Sequence, residues 1–128
     1  MAGALRKRLT ARLRRVEGVV ESPSTFGPGN AFWCSGKEIA HFDAADVVDV
    51  RLTKSVIREL RPLLRNDQRV ELRKAGSDWI AVHVSSSNDI AFVVELAERA
   101  ARAHRAGAGE TAKPPPTGSD LERRRRFH

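Results

Sequence analysis

Two histidines stand in segments that alternate like strands, His41 in KEIAHF and His83 in WIAVHV. Imidazole changes charge near neutral pH and offers a nitrogen lone pair, so together with Asp43 they could form an acid-base or metal site on one sheet face. The plainer reading makes both histidines partly exposed strand residues, hydrogen-bonded to their neighbours. Asp43, Asp46 and Asp49 supply oxygens for a hard cation. They lack the glycine and closing glutamate of an EF-hand loop, so solvation of a turn and strand edge accounts for them better. Neither a metal nor a cofactor is expected.

The remaining nucleophiles carry less. Cys34 follows Trp33 in an apolar segment with no adjacent His or Lys, so a buried, inert thiol is expected. Ser85, Ser86 and Ser87 do not sit in a GxSxG elbow. The stretch SPSTFGPGN contains glycines but neither GxGxxG nor GxxxxGK[ST], and it reads as a connecting loop. Trp33 and Trp79 either fill the core or line a pocket. If a pocket exists, strand parity directs attention to the sheet surface carrying Trp33, His41, Trp79 and His83.

Basic side chains offer a third chemistry. The chain has 128 residues and a formal charge of +7, unevenly placed. Residues 1–16 contribute +6, residues 106–128 contribute +2, and the middle is close to neutral at −1. Lys7, Arg14 and Arg15 near one end and Arg123, Arg124, Arg125 and Arg126 near the other could grip phosphates without regard to sequence, a contact that weakens steeply with salt. No aromatic is interleaved with either run to stack on bases. A solvated face is the simpler reading, with nucleic acid and an anionic membrane surface as alternatives.

These residues must be held by elements that the hydrophobic pattern outlines. Leu5, Leu9, Leu13, Val16 and Val20 recur at helical spacing, predicting a helix over about residues 4–17 that covers a sheet. AFWCS and KEIAHF flank Ser35-Gly36 as a hairpin, and VVDVRL alternates as a third strand with its polar face outward. Thr53 caps a second helix carrying Val56, Ile57, Leu60 and Leu64, which Pro62 should end near Arg61 or bend in its last turn. Strands over 69–74 and 79–84 form a second hairpin through Ala75, Gly76, Ser77 and Asp78. Ser87 then opens a third helix ending near His104. The expectation is an α+β two-layer sandwich of order α-β-β-β-α-β-β-α, a five-stranded, mostly antiparallel sheet with helices packed on it. Residues 1–105 would form the domain, and the Pro-, Gly- and Arg-rich residues 106–128 a disordered tail.

Length excludes a TIM barrel, which needs roughly 200 residues or more. No run approaches the roughly 18 apolar residues of a membrane span. The first 16 residues are basic but lack the apolar core of a secretory signal, and a transit-peptide reading conflicts with a helix needed to cover the sheet. With one cysteine and no CxxC, a cytoplasmic, reducing setting is expected.

The strings GVVESPSTFGPGNAFWCSGKEIAHFD, VVDVRLTKSVIREL, SDWIAVHV and NDIAFVVELAERA, in this order, resemble the small luciferase-domain family found widely in bacteria and also in fungi. The resemblance spans about Leu5 to His104, and Gly-Lys-Glu-Ile-Ala-His at 36–41 is its most specific part. The second hairpin departs from the family, reading NDQRVELRKAGSDW where a histidine and a proline turn are usual. No settled reaction comes with the family, and flavin-dependent luciferases are barrels of another kind. The element order is also similar to that of the MmcQ/YjbR group of presumed DNA-binding proteins. The resemblance implies a small domain that binds an unidentified ligand or protein partner. The alternatives are non-specific nucleic-acid binding through the two basic ends and a small enzyme using His41 and His83.

Overall fold

The computed structural model describes residues 2–44, 46–74, 76–108 and 114–126. Helix α1 runs over Ala2–Leu13 and buries Leu9 and Leu13. It stops short of residue 17. The amides of Arg15 and Val16 bond back only three residues, to Arg12 and Leu13, and Gly18 takes φ 83°, a left-handed conformation open to glycine at little cost. The chain leaves this turn as strand β1, Val19–Pro23. Val20, which shares the helical spacing in sequence, therefore sits on an edge strand, 51% exposed.

The other elements are β2 (Asn30–Cys34), β3 (Lys37–Ala44), β4 (Val47–Arg51), α2 (Lys54–Arg65), β5 (Val70–Leu72), β6 (Trp79–His83), α3 (Ser87–Ala108) and α4 (Gly118–Arg126). The fold is α+β, and its sheet has six strands rather than five, in the order β1-β2-β3-β4-β6-β5, with every neighbouring pair antiparallel. The additional strand is β1. Pro23 at its end costs no ladder bond on an outer edge, which is why a Ser- and Pro-rich stretch can still pair. Between β2 and β3, Ser35 and Gly36 both adopt positive φ, 54° and 78°. That is the type I′ geometry matching the twist of a two-residue hairpin.

Helix α2 runs through Pro62 to Arg65 instead of ending near Arg61. The proline ring lies on the exposed side, while Ile57, Leu60 and Leu64 bury the opposite face and hold the last turn in place. The Asn66 side-chain amide donates to the Pro62 carbonyl and helps close that end. Helix α3 extends past His104 to Ala108. Where a disordered tail is expected, Gly118–Arg126 forms α4 with Leu121 buried. The tail positions 109–113 and 127–128, and Ala75 of the second hairpin, lie outside the described residues.

The two faces of the sheet differ in kind. Phe32, Ala40, Val48, Val50, Ile80 and Val82 join the core formed with Leu9 and Leu13 of α1, the buried face of α2, and the apolar side of α3. The cross-strand pairs Ala31–His41, His41–Asp49 and Asp49–Ala81 define the opposite face, where the polar residues gather. Among the described residues no helix is long and apolar enough to cross a membrane.

Candidate functional site

A β-bulge builds the site. In an unbroken strand, residues three apart point to opposite faces. Trp33 pairs with Glu38 and Phe32 with Ala40, so Ile39 is an extra residue in β3. The insertion returns Glu38 to the face that carries His41. Ile39 itself is fully buried in the core, which anchors the bulge.

Glu38 is only 2% exposed. Its carboxylate accepts from Ser24 Oγ at 2.7 Å, the Thr25 amide at 2.8 Å and Thr25 Oγ1 at 3.0 Å. His41 Nδ1 lies 2.9 Å from the same carboxylate. Burial alone would push the Glu38 carboxyl up, but these hydrogen bonds, led by that from His41, hold it below the ordinary carboxylate range. One buried acid thus orients the imidazole and ties down the loop after β1.

On its other side, His41 Nε2 lies 2.9 Å from Asp49 Oδ2, and Arg73 Nη2 donates to Asp49 Oδ1 at 2.8 Å. Burial pushes Asp49 up as well, and the hydrogen bonds from His41 and Arg73 bring it below its usual value. Both partners of the imidazole are ionised acceptors, so both ring nitrogens carry protons. Burial disfavours that charge, but hydrogen bonds to Asp49 and Glu38, with their charges, raise His41 to about 9. An imidazolium donating from both nitrogens has no lone pair for a metal or for a substrate proton. No group of three or more His, Cys, Asp and Glu side chains able to hold a metal occurs among the described residues.

Two aromatic rings flank this cation. Phe26 stacks on His41 with ring centres 5.3 Å apart, and Trp79 lies 4.8 Å from His41 on β6. Phe26 and Trp79 meet edge to face at 5.2 Å. The electron-rich ring faces favour a positive charge beside them. Phe26 reaches this place because Ser24 and Thr25 are bound to Glu38 and the Phe26 amide donates to Ser24 Oγ. Arg125 of α4 donates to the Ser24 carbonyl at 3.0 Å, fastening the same loop from the tail. Trp79 is backed by the Arg51 guanidinium, 5.6 Å from its ring centre and itself paired with Asp78 at 2.8 Å.

Phe26, His41, Asp49 and Trp79 open into a cleft of about 440 Å³, whose mouth carries Arg73, Lys74 and Ser77. That volume lies within the range of small-molecule sites, and aromatic walls with a few fixed polar groups are their usual lining.

Trp33, His41, Trp79 and His83 all fall on this face of the sheet by their pairing, but only His41 and Trp79 line the cleft. Trp33 is buried, its indole N–H donating to the Ser22 carbonyl. His83 is exposed and sits 3.8 Å from Glu71. Phe26, Glu38, Arg73 and Lys74 are not singled out by sequence reasoning. The signal available for Phe26 was an aromatic isolated in an otherwise polar, Gly- and Pro-rich loop. Asp49 is 7% exposed, although strand alternation puts it on a face expected to look outward.

The basic candidates are dispersed. Lys7, Arg15 and Arg126 are exposed, Arg14 pairs with Glu21 at 2.5 Å, and Arg123 pairs with Asp120 at 2.7 Å. Arg124 and Arg125 donate to the carbonyls of Gly36 and Ser24, so these two arginines fasten α4 to the sheet end.

Against known proteins, the family model for the Luciferase domain matches residues 36–100. The match contains Glu38, His41, Asp49, Arg73, Lys74 and Trp79 and stops short of Phe26 on the N-terminal side. No curated protein and no solved structure matches the chain.

Proposed function

Since this chain belongs to the Luciferase domain family and concentrates its buried polar network under one aromatic-walled cleft, we propose that it is a small-ligand-binding domain. The ligand is a molecule with a flat, apolar body, received in the cleft against the wall that Phe26, His41 and Trp79 form together. The observation that carries this reading is the double anchoring of His41 by Glu38 and Asp49, at 2.9 Å each. It fixes the cleft floor before any ligand arrives, and such preorganisation lowers the cost of binding. Residues 1–105 would then be the binding unit, with α4 holding the Phe26 loop from outside it.

The arrangement supports binding over proton transfer. His41 has both nitrogens committed to carboxylates, and His83 lies at the far end of β6 facing Glu71, so the two imidazoles share no substrate position. Titration with naphthalene-2-methanol and naphthalene-2-carboxylate, followed by tryptophan fluorescence, tests the proposal. Saturable one-to-one binding is expected, with the signal preserved in Trp33→Phe because Trp33 is buried away from the cleft. Trp79→Ala, which removes the fluorescent reporter and is therefore compared with the wild type by calorimetry, should weaken binding by about tenfold or more, the scale of a lost aromatic contact. Equal affinity in the wild type and Trp79→Ala would refute the assignment.

A further inference from the structure

We infer that the ligand of this cleft is an anion, of the class of small aromatic carboxylates, with Arg73 and Lys74 receiving its charged group. The inference rests on the reading of the cleft as a ligand site and adds the charge of the occupant.

Beneath the cleft the charges alternate. Glu38, His41, Asp49 and Arg73 form one chain of contacts at 2.9, 2.9 and 2.8 Å, two negative and two positive, so the floor is neutral and satisfied in itself. Among the described residues no buried side-chain nitrogen or oxygen lacks a hydrogen-bond partner. A ligand is therefore not needed to neutralise the floor and gains little by competing with it.

The mouth differs. Arg73 uses one terminal nitrogen for Asp49 at 2.8 Å and for Asp43 at 3.9 Å. Its other N–H groups, in the fork geometry suited to a carboxylate, remain for an incoming acceptor. Asp43 is 58% exposed and stands outside the cleft lining, so water screens it from a ligand inside. Lys74, next in the chain, is exposed and has no acidic partner among the described residues. Ser77 Oγ accepts from the Trp79 amide, leaving its hydroxyl proton to donate. Two cations and a hydroxyl donor thus ring an opening whose interior ends on an imidazolium. Because His41 and Arg73 are balanced by Glu38 and Asp49, Lys74 leaves the cleft with one positive charge in excess, which a cationic ligand would meet unscreened by any acidic partner among the described residues. A carboxylate attached to a flat ring would place its oxygens between Arg73 and Lys74 and its ring against Trp79.

Three probes of equal shape decide the matter: naphthalene-2-carboxylate, naphthalene-2-methanol and naphthalene-2-methylammonium, titrated by calorimetry into the full chain and into Lys74→Gln. The carboxylate should bind about tenfold tighter than the alcohol, the value of one charge-assisted hydrogen bond, and the ammonium should bind least. Lys74→Gln, a surface change that leaves the buried network intact, should shrink the carboxylate preference over the alcohol to about threefold or less. An alcohol that binds as tightly as the carboxylate, or a preference untouched by Lys74→Gln, overturns the anion inference and leaves the cleft as a ligand site. No binding of any of the three overturns both.

Discussion

The His41 network makes stability depend on pH in a direction opposite to that of an ordinary buried histidine. Burial alone would favour neutral imidazole, but the hydrogen bonds to Asp49 and Glu38 hold the proton and raise His41 from 6.5 to about 9. A group whose proton affinity rises on folding stabilises the native state fully below its unfolded value and loses that contribution as pH climbs through its folded value. The window is therefore about pH 6.5 to 9. Each tenfold change in proton affinity is about 1.4 kcal/mol, so the whole effect is about 3 kcal/mol. The His41 side chain is only 13% exposed, so solvent screening takes little of it. For a domain of this size the loss corresponds to a fall of about 10 °C in Tm. The neighbouring carboxylates and His104 act outside this window. Glu38 and Asp49, held below their ordinary values, contribute stability that is lost only in acid. Burial lowers His104, whose contribution is present above 6.5 and lost as pH falls. Urea denaturation of the wild type and His41→Gln at pH 6 and 9.5 isolates the effect. The wild type should lose about 3 kcal/mol across that interval and the variant almost none. A wild type equally stable at both, or a His41 imidazole seen by NMR to titrate near 6.5, refutes the doubly protonated network.

Two further predictions concern the frame around the site. Ile80 is fully buried on the helix-facing side of the sheet, and Ile80→Ala should cost about 3 kcal/mol in chemical denaturation through lost burial and a residual cavity; a cost under about 1 kcal/mol would contradict the core assignment. Thr53 accepts from the Val56 amide at 3.1 Å as the N-cap of α2, so Thr53→Ala should cost about 1 kcal/mol, measured in the same way, and no change would show that the cap contributes nothing.

Much of the frame is legible in the chain because its signals are local. Ser35-Gly36 announces a hairpin through the positive φ it requires. The alternation in VVDVRL yields β4, with Val48 and Val50 in the core. The misses occur where a longer-range contact overrides a local rule. Val16 and Val20 continue the spacing of α1, yet the turn at Gly18 sends Val20 into a strand that exists only because β2 lies beside it. Pro62 should end α2 near Arg61 or bend its last turn, but the buried side chains either side of it keep that turn helical to Arg65. Leu121 is one apolar residue among arginines, too little to forecast α4 without knowing that the carbonyls of Gly36 and Ser24 await Arg124 and Arg125.

The same reasoning explains why half the site is hidden from a linear reading. Asp49, read as solvating a strand edge, is buried instead on the face that His41 and Trp79 share, and those two are reached by strand parity alone, since their pairing keeps the two-residue period. Glu38 is not, because its spacing from His41 is odd and parity sends it to the wrong face. Only the bulge at Ile39 brings the two together, and the bulge is specified by packing, through an isoleucine that buries completely in the core. Phe26 inherits the difficulty, since its position depends on Ser24 and Thr25 finding Glu38. One extra residue in β3 therefore settles the imidazole's charge, the loop's anchorage and the second aromatic wall together.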